Sequence, residues 1–235
     1  MNQTEDAAPV VELRDVVKTY QQGAVEVQAL RGLTLNVKRG EFLALCGPSG
    51  SGKTTALNLV GALDTPTSGA VLLEGQELGR LGRTALSNLR RDRIGFVFQA
   101  YNLIPVLSAF ENAESVLALQ GVSTAKRRDR VMKLLAEVGL KGMEDRRPDH
   151  LSGGQQQRVA IARAIASEPA VVLADEPTAN VDSETAERLL EIMERLNREQ
   201  GVTFIFSTHD PRVMDHARRV VSLRDGQVES DESKE

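Results

Sequence analysis

The sequence predicts an α/β fold, with a mainly parallel sheet in the core, an N-terminal antiparallel β subdomain and an inserted α-helical subdomain. Three observations carry this. Short apolar runs of strand length, Glu41–Cys46, Ala170–Ala174 and Val202–Phe206, read as strands buried on both faces. Between the last two lies Glu184–Glu199, whose Leu189, Leu190, Ile192, Met193 and Leu196 recur at helical spacing. A mostly helical stretch from Asn102 to Glu144 interrupts this alternation.

In chain order, Val10–Leu13 and Val25–Leu30 alternate as strands do, with turn chemistry at Gln22-Gly23 between them. The run ending at Cys46 meets Gly47, and a helix is expected from Lys53 to about Leu63. A further strand pair is expected near Ala70–Leu73 and Ile94–Phe98. In the helical stretch, Arg130, Val131, Met132, Leu134, Leu135 and Val138 fall at helical spacing, and a strong helix is expected over Gln156–Ser167. One domain over 10–228 results, with a core of 10–99 and 158–228 and a helical subdomain of about 100–157. Residues 1–9 and 229–235 are expected to be loose tails.

Composition narrows the function. The 235 residues are 41% hydrophobic and 26% charged, which supplies a core. With 29 basic and 33 acidic side chains the net charge is −4, which opposes a nucleic-acid-coating role. The single cysteine, Cys46, excludes an intramolecular disulfide framework and reads as a buried residue beneath the turn that follows it. The start, Met1–Asp6, lacks the basic and apolar regions of a signal peptide, and no stretch of about 18 apolar residues predicts a membrane span.

The most informative segment is Gly47-Pro48-Ser49-Gly50-Ser51-Gly52-Lys53-Thr54, which satisfies G-x-x-x-x-G-K-[ST] between a strand and a helix. A glycine-rich turn aims backbone N–H groups at a phosphate, and the helix start adds its positive end. Lys53 is placed to neutralise β- and γ-phosphate oxygens, the Thr54 hydroxyl to bind Mg²⁺, and Thr55 to line the same site. The core is therefore expected to be a P-loop NTPase of the RecA-like type, taking ATP and Mg²⁺. Asp175 and Glu176, directly after an apolar strand, supply the metal carboxylate and a general base. His209 and Gln99 end two other strands at the same edge of the sheet; His209 is a candidate for the γ-phosphate, Gln99 for Mg²⁺ or the attacking water. Tyr20 offers a ring for adenine, or a half-buried core residue. Ser152-Gly153-Gly154-Gln155, before the helix that follows, forms a second anion-type turn. A two-fold head-to-tail pair would let each P-loop face the other subunit's turn.

From Val10 to Val228 the sequence resembles the ABC-transporter nucleotide-binding subunits. Tyr20 looks like the A-loop aromatic, Gly47–Thr54 the Walker A, Gln99 the Q-loop and Leu151–Gln155 the signature. Leu173–Glu176 resembles the Walker B with its catalytic glutamate, Ala179–Asp182 the D-loop, and His209 the switch histidine. The resemblance implies ATP hydrolysis in a homodimer or pair of ATPase subunits, with Ser152, Gly153, Gly154, Gln155 and Asp182 at the shared nucleotide. It also implies that integral membrane permease subunits dock near Gln99 and residues 100–150, at the cytoplasmic face of the inner membrane. Val181 departs from the usual leucine, and a small packing change is expected there. The segments Gly61–Gly69 and Asn102–Asn112 look like the lipoprotein-releasing (LolD) and macrolide-export (MacB) branch, a pattern shared with antimicrobial-peptide exporters. The alternative is an ABC-type ATPase acting on DNA or ribosomes. Such proteins need a long insert or two cassettes, and the segment between Gln99 and Leu151 is too short for the first.

Overall fold

The computed structural model describes residues 8–23 and 25–234. The elements run β1 (Val11–Gln22), β2 (Val25–Val37), β3 (Phe42–Cys46), α1 (Lys53–Val60), β4 (Ser68–Leu73), β5 (Gln76–Glu77), α2 (Arg83–Arg93) and β6 (Ile94–Phe98). There follow α3 (Ala109–Leu119), α4 (Thr124–Glu137), α5 (Gly153–Ile165), β7 (Val171–Asp175), α6 (Ser183–Gln200), β8 (Phe204–Ser207), α7 (Pro211–His216), β9 (Arg219–Arg224) and β10 (Gln227–Ser233).

Two sheets form. The larger has the order β10-β9-β3-β8-β7-β6, parallel from β9 to β6 with β10 antiparallel at its edge. The smaller, β2-β1-β4-β5, is antiparallel. Side-chain alternation along the buried strands builds a core on each face of the larger sheet. Phe42, Ala44, Val172, Ala174, Phe204 and Phe206 point to the helices α3 to α7, whereas Leu43, Leu45, Val171, Leu173 and Ile205 point to α1 and the small sheet. Every functional strand end, at Cys46, Phe98, Asp175 and Ser207, thus emerges at one edge.

Several expectations change. The strand pair near 70–73 and 94–98 is split, because β4 pairs with β1 in the small sheet and β6 with β7 in the large one. The boundary at 157/158 falls inside α5, which runs unbroken from the signature turn. The loose tail at 229–235 is instead strand through Ser233, held by β9 and by Asp231 pairing with Arg219 at 2.7 Å. The tail expected at 1–9 lies largely outside the described residues. Cys46 is half-buried rather than buried. Among the described residues no helix is long and apolar enough to cross a membrane.

Candidate active site

The turn between β3 and α1 carries the glycine-rich motif. At Gly47 φ is +137°, and a Cβ would sit 2.1 Å from the Leu223 carbonyl oxygen and 2.9 Å from Ser51 Oγ, so only glycine lets the turn lie against β9. The turn is fixed from outside as well: the Gly226 amide donates to the Ser51 carbonyl at 3.1 Å. Gly52, the N-cap of α1, offers no side chain to the first helical N–H groups, which remain for an anion. Lys53 is buried and donates to the carbonyls of Gly47 at 2.7 Å and Pro48 at 3.1 Å.

A cavity of about 730 Å³ opens over this turn. Gly47 through Thr55 line it together with Tyr20, Gln99, Glu176 and His209. Glu176 follows β7 with φ +46° and is positioned by its backbone, its amide donating to the Ser207 carbonyl at 2.9 Å. Its carboxylate accepts from Thr208 Oγ1 at 3.2 Å and lies 2.6 Å from His209 Nδ1, an arrangement that puts the ring proton on Nδ1 when Glu176 is ionised. Gln99 and Asn180 exchange hydrogen bonds: Asn180 Nδ2 donates to the Gln99 carbonyl at 2.9 Å, and Gln99 Nε2 to Asn180 Oδ1 at 3.4 Å. The Tyr101 hydroxyl donates to the Asn180 carbonyl at 3.0 Å. Tyr101 and Asn102 both have positive φ, and Arg163 holds their carbonyls at 2.9 and 2.6 Å.

The residues fit a nucleotide with Mg²⁺. Thr54 Oγ1 donates to Asp175 Oδ1 at 3.4 Å, giving two hard oxygen ligands side by side at the mouth of the phosphate turn. Ser51 Oγ and Ser207 Oγ are buried in the cavity wall without a hydrogen-bond partner among the described residues. Orphaned hydroxyls in a polar cradle are expected where a ligand completes the bonding.

Tyr20 lines the cavity and has its hydroxyl on Asp64 Oδ2 at 2.9 Å. Ser152–Gln155 and Asp182 do not line it. Ser152 caps α5, accepting from the Gln155 amide at 3.3 Å while Gln155 Oε1 accepts from the Ser152 amide at 2.9 Å. Asp182 caps α6 through the Thr185 amide at 2.9 Å. Val181 is half-buried and packs against the helical-face core. The wall contributed by Val27, Gln28, Ala29 and Ser207 carries no motif, and only the folded register of β2 and β8 brings these residues to the site.

A sequence model of the family described as ABC transporter matches residues 30–179. An uncharacterized ABC transporter ATP-binding protein of Thermotoga maritima is 49% identical, the match covering 94% of each chain. The lipoprotein-releasing system ATP-binding protein LolD of Anaeromyxobacter dehalogenans is 46% identical, covering 96% of this chain and 95% of that one. The macrolide export ATP-binding/permease protein MacB of Syntrophobacter fumaroxidans is 50% identical over 94% of this chain, which spans only 31% of that protein's length. Among solved structures, the dimeric, post-hydrolysis cassette MJ0796 bound to ADP and Pi, a protein of Methanocaldococcus jannaschii, superimposes with a TM-score of 0.88 at 44% identity. That match covers 96% of this chain and 99% of the other. The chain belongs to the ABC transporter family, and the cassette it forms is that family's ATPase.

Proposed function

We propose that this chain powers an exporter of the lipoprotein-release, macrolide or peptide type, as a head-to-tail pair of ATPase subunits bound to membrane subunits at the cytoplasmic face. The observation that carries the reading is the incompleteness of the site. The P-loop, Glu176 and His209 share one cavity, while Ser152–Gly154, a second anion-type helix start, stands outside it. A two-fold axis would bring the partner's turn over the γ-phosphate and give two equivalent sites.

Within each site Lys53 exchanges its two carbonyl contacts for β- and γ-phosphate oxygens. Thr54 and Asp175 would hold Mg²⁺, and Gln99, now bonded to Asn180, would be the third residue near it. A metal bound there would supply neutralisation of the charge that develops on the phosphates. Glu176 accepts a proton from the water that attacks the γ-phosphorus as the bond to the β-phosphate oxygen breaks. His209 fixes the carboxylate's orientation before the nucleotide arrives and reaches the γ-phosphate afterwards.

Membrane subunits would seat in the groove beside Gln99, about 360 Å³ in volume, where Phe96 and Phe98 stack at 5.6 Å and Arg90, Arg91 and Arg163 line the walls. The loop leading to α3 is firm enough to hold that surface. Asn112, fully buried, accepts from the Ile104 amide at 2.8 Å and donates to the carbonyls of Ile104, Leu107 and Ser108. The test is affinity purification of the tagged chain from detergent-solubilised membranes. A stoichiometric integral membrane protein that stimulates the ATPase is expected; recovery with DNA or ribosomes and no such partner would contradict the transport reading.

A further inference from the structure

We propose that Asp64 and Lys18 are positioning residues that hold the Tyr20 ring ready for adenine and tie it to the phosphate-binding helix. This rests on the nucleotide reading of the cavity.

Tyr20 stands near the end of β1, where its own strand gives it little support. The ladder between β1 and β4 stops at Val17 and Ser68, so beyond that point β1 pairs only with β2, and Tyr20 lies opposite Val27 in a two-stranded ribbon. Such a ribbon is marginal alone. What fixes it is the turn after α1. The amides of Leu63 and Asp64 donate to the Asn58 carbonyl at 2.9 and 3.3 Å, which anchors the turn on the last part of α1. From there Asp64 Oδ2 accepts from the Tyr20 hydroxyl at 2.9 Å, and Asp64 Oδ1 accepts from Lys18 Nζ at 2.7 Å and from the Thr65 amide at 2.7 Å. Lys18 Nζ also donates to the Thr65 carbonyl at 2.8 Å.

Lys18 and Tyr20 are two residues apart and share a face of β1. The ammonium therefore lies over the ring, 4.8 Å from its centroid, while the ring itself lines the nucleotide cavity. A cation on the ring favours a base stacked on its remaining face by withdrawing electron density. Burial works to raise the Asp64 carboxyl, but Lys18, the Thr65 amide and Tyr20 outweigh it, so Asp64 stays below its ordinary value and ionised. Burial and the bond to Asp64 hold the Tyr20 hydroxyl above its ordinary value, keeping it a donor. Base and phosphates are then read by one unit: the Tyr20 hydroxyl meets Thr55 in the first turn of α1 as well as Asp64 beyond its end, and the glycine-rich turn leads into the same helix.

The test compares two ligands by calorimetry on the full chain with Mg²⁺: ADP, which has the base, and inorganic tripolyphosphate, which lacks it. Losing a charge-assisted bond and the ring's orientation in Asp64→Ala should weaken ADP about tenfold and leave tripolyphosphate within about twofold. Asp64→Asn keeps an acceptor for Tyr20 and should recover most of the loss. Lys18→Met keeps the stem without the charge and should again weaken ADP alone. In a Tyr101→Phe background Tyr20 is the only tyrosine of a chain without tryptophan, so its emission reports the ring directly. It should rise in Asp64→Ala, where the carboxylate no longer quenches it. Equal losses for both ligands would make Asp64 a support of the cradle rather than of the ring, and unchanged ADP affinity would also overturn the proposal. Lys53→Ala should lose both ligands; if it loses neither, it is the cradle reading that fails.

Discussion

Gly47→Ala and Gly50→Ala separate two costs within one turn. Both glycines have positive φ, +137° and +80°, so each alanine carries backbone strain of about 1–2 kcal/mol. A Cβ at Gly50 meets nothing within 4 Å, and strain is its whole cost. A Cβ at Gly47 lies 2.1 Å from the Leu223 carbonyl oxygen, and Leu223 is a fully buried residue of β9. That oxygen belongs to the main chain, so β9 or the turn must shift and the packing of Leu45, Val221 and Leu223 opens. Core disruption of this kind adds about 2–3 kcal/mol. For a chain of this size each kcal/mol moves Tm by about 2–4 °C, so Gly47→Ala should lower it by about 6–20 °C and Gly50→Ala by about 2–8 °C. Scanning calorimetry of the nucleotide-free proteins measures both. Equal shifts would refute the claim that close approach to β9, and not conformation alone, demands glycine at position 47.

Other expectations follow from the same geometry. Lys53→Ala should weaken ATP binding at least about tenfold, since it removes the point charge on the phosphates; equilibrium binding checks it. Glu176→Gln keeps the size and the contact to Thr208 but cannot take a proton, so turnover should fall about 10²- to 10⁴-fold with ATP affinity retained. ATP should then hold the variant as a dimer in size-exclusion chromatography. At the other end of α7, His216 lies between Glu194 at 3.0 Å and Glu187 at 2.8 Å. Burial works to lower its value and the two carboxylates outweigh this, leaving it raised. A raised histidine stabilises the fold fully below about pH 6.5, and that contribution disappears as pH rises through the higher folded-state value. Urea midpoints should therefore fall more between pH 6 and 9 in the wild type than in His216→Gln.

What the sequence discloses depends on where the physical signal resides. The inner parallel strands β3, β7 and β8 are buried on both faces, so their residues must be mostly apolar, and the phosphate turn requires glycines at fixed places. Both are visible one-dimensionally. The α2 helix buries only Leu89 and ends in Arg90, Arg91 and Arg93, so it has almost no apolar stripe to read. β10 is nearly all exposed and acidic, and its strand character comes from β9 and from Arg219. Asn180 carries no chemical signature, yet it decides where the Gln99 amide points. Asp64 lies in the Gly61–Gly69 segment, whose resemblance to the export branch gives it no role of its own, because its partners Lys18 and Tyr20 are brought to it only by the fold. The capping box Ser152-x-x-Gln155 is local, and so is legible as a helix start; which chain's nucleotide it faces is not a local property.

That last question is the central one, and mixing two inactive variants answers it. Lys53→Ala removes the phosphate charge from one chain. Ser152→Asp keeps a good N-cap for α5 but sets a negative charge where the partner's γ-phosphate would arrive. In a mixed pair one site combines an intact P-loop with an intact signature turn, and the other has both defects. ATP hydrolysis by an equal mixture should rise well above that of either variant alone, toward half the wild-type rate per mixed dimer and so about a quarter for the whole randomly paired population. A mixture no more active than the average of its two components would contradict a nucleotide site shared between two copies of this chain.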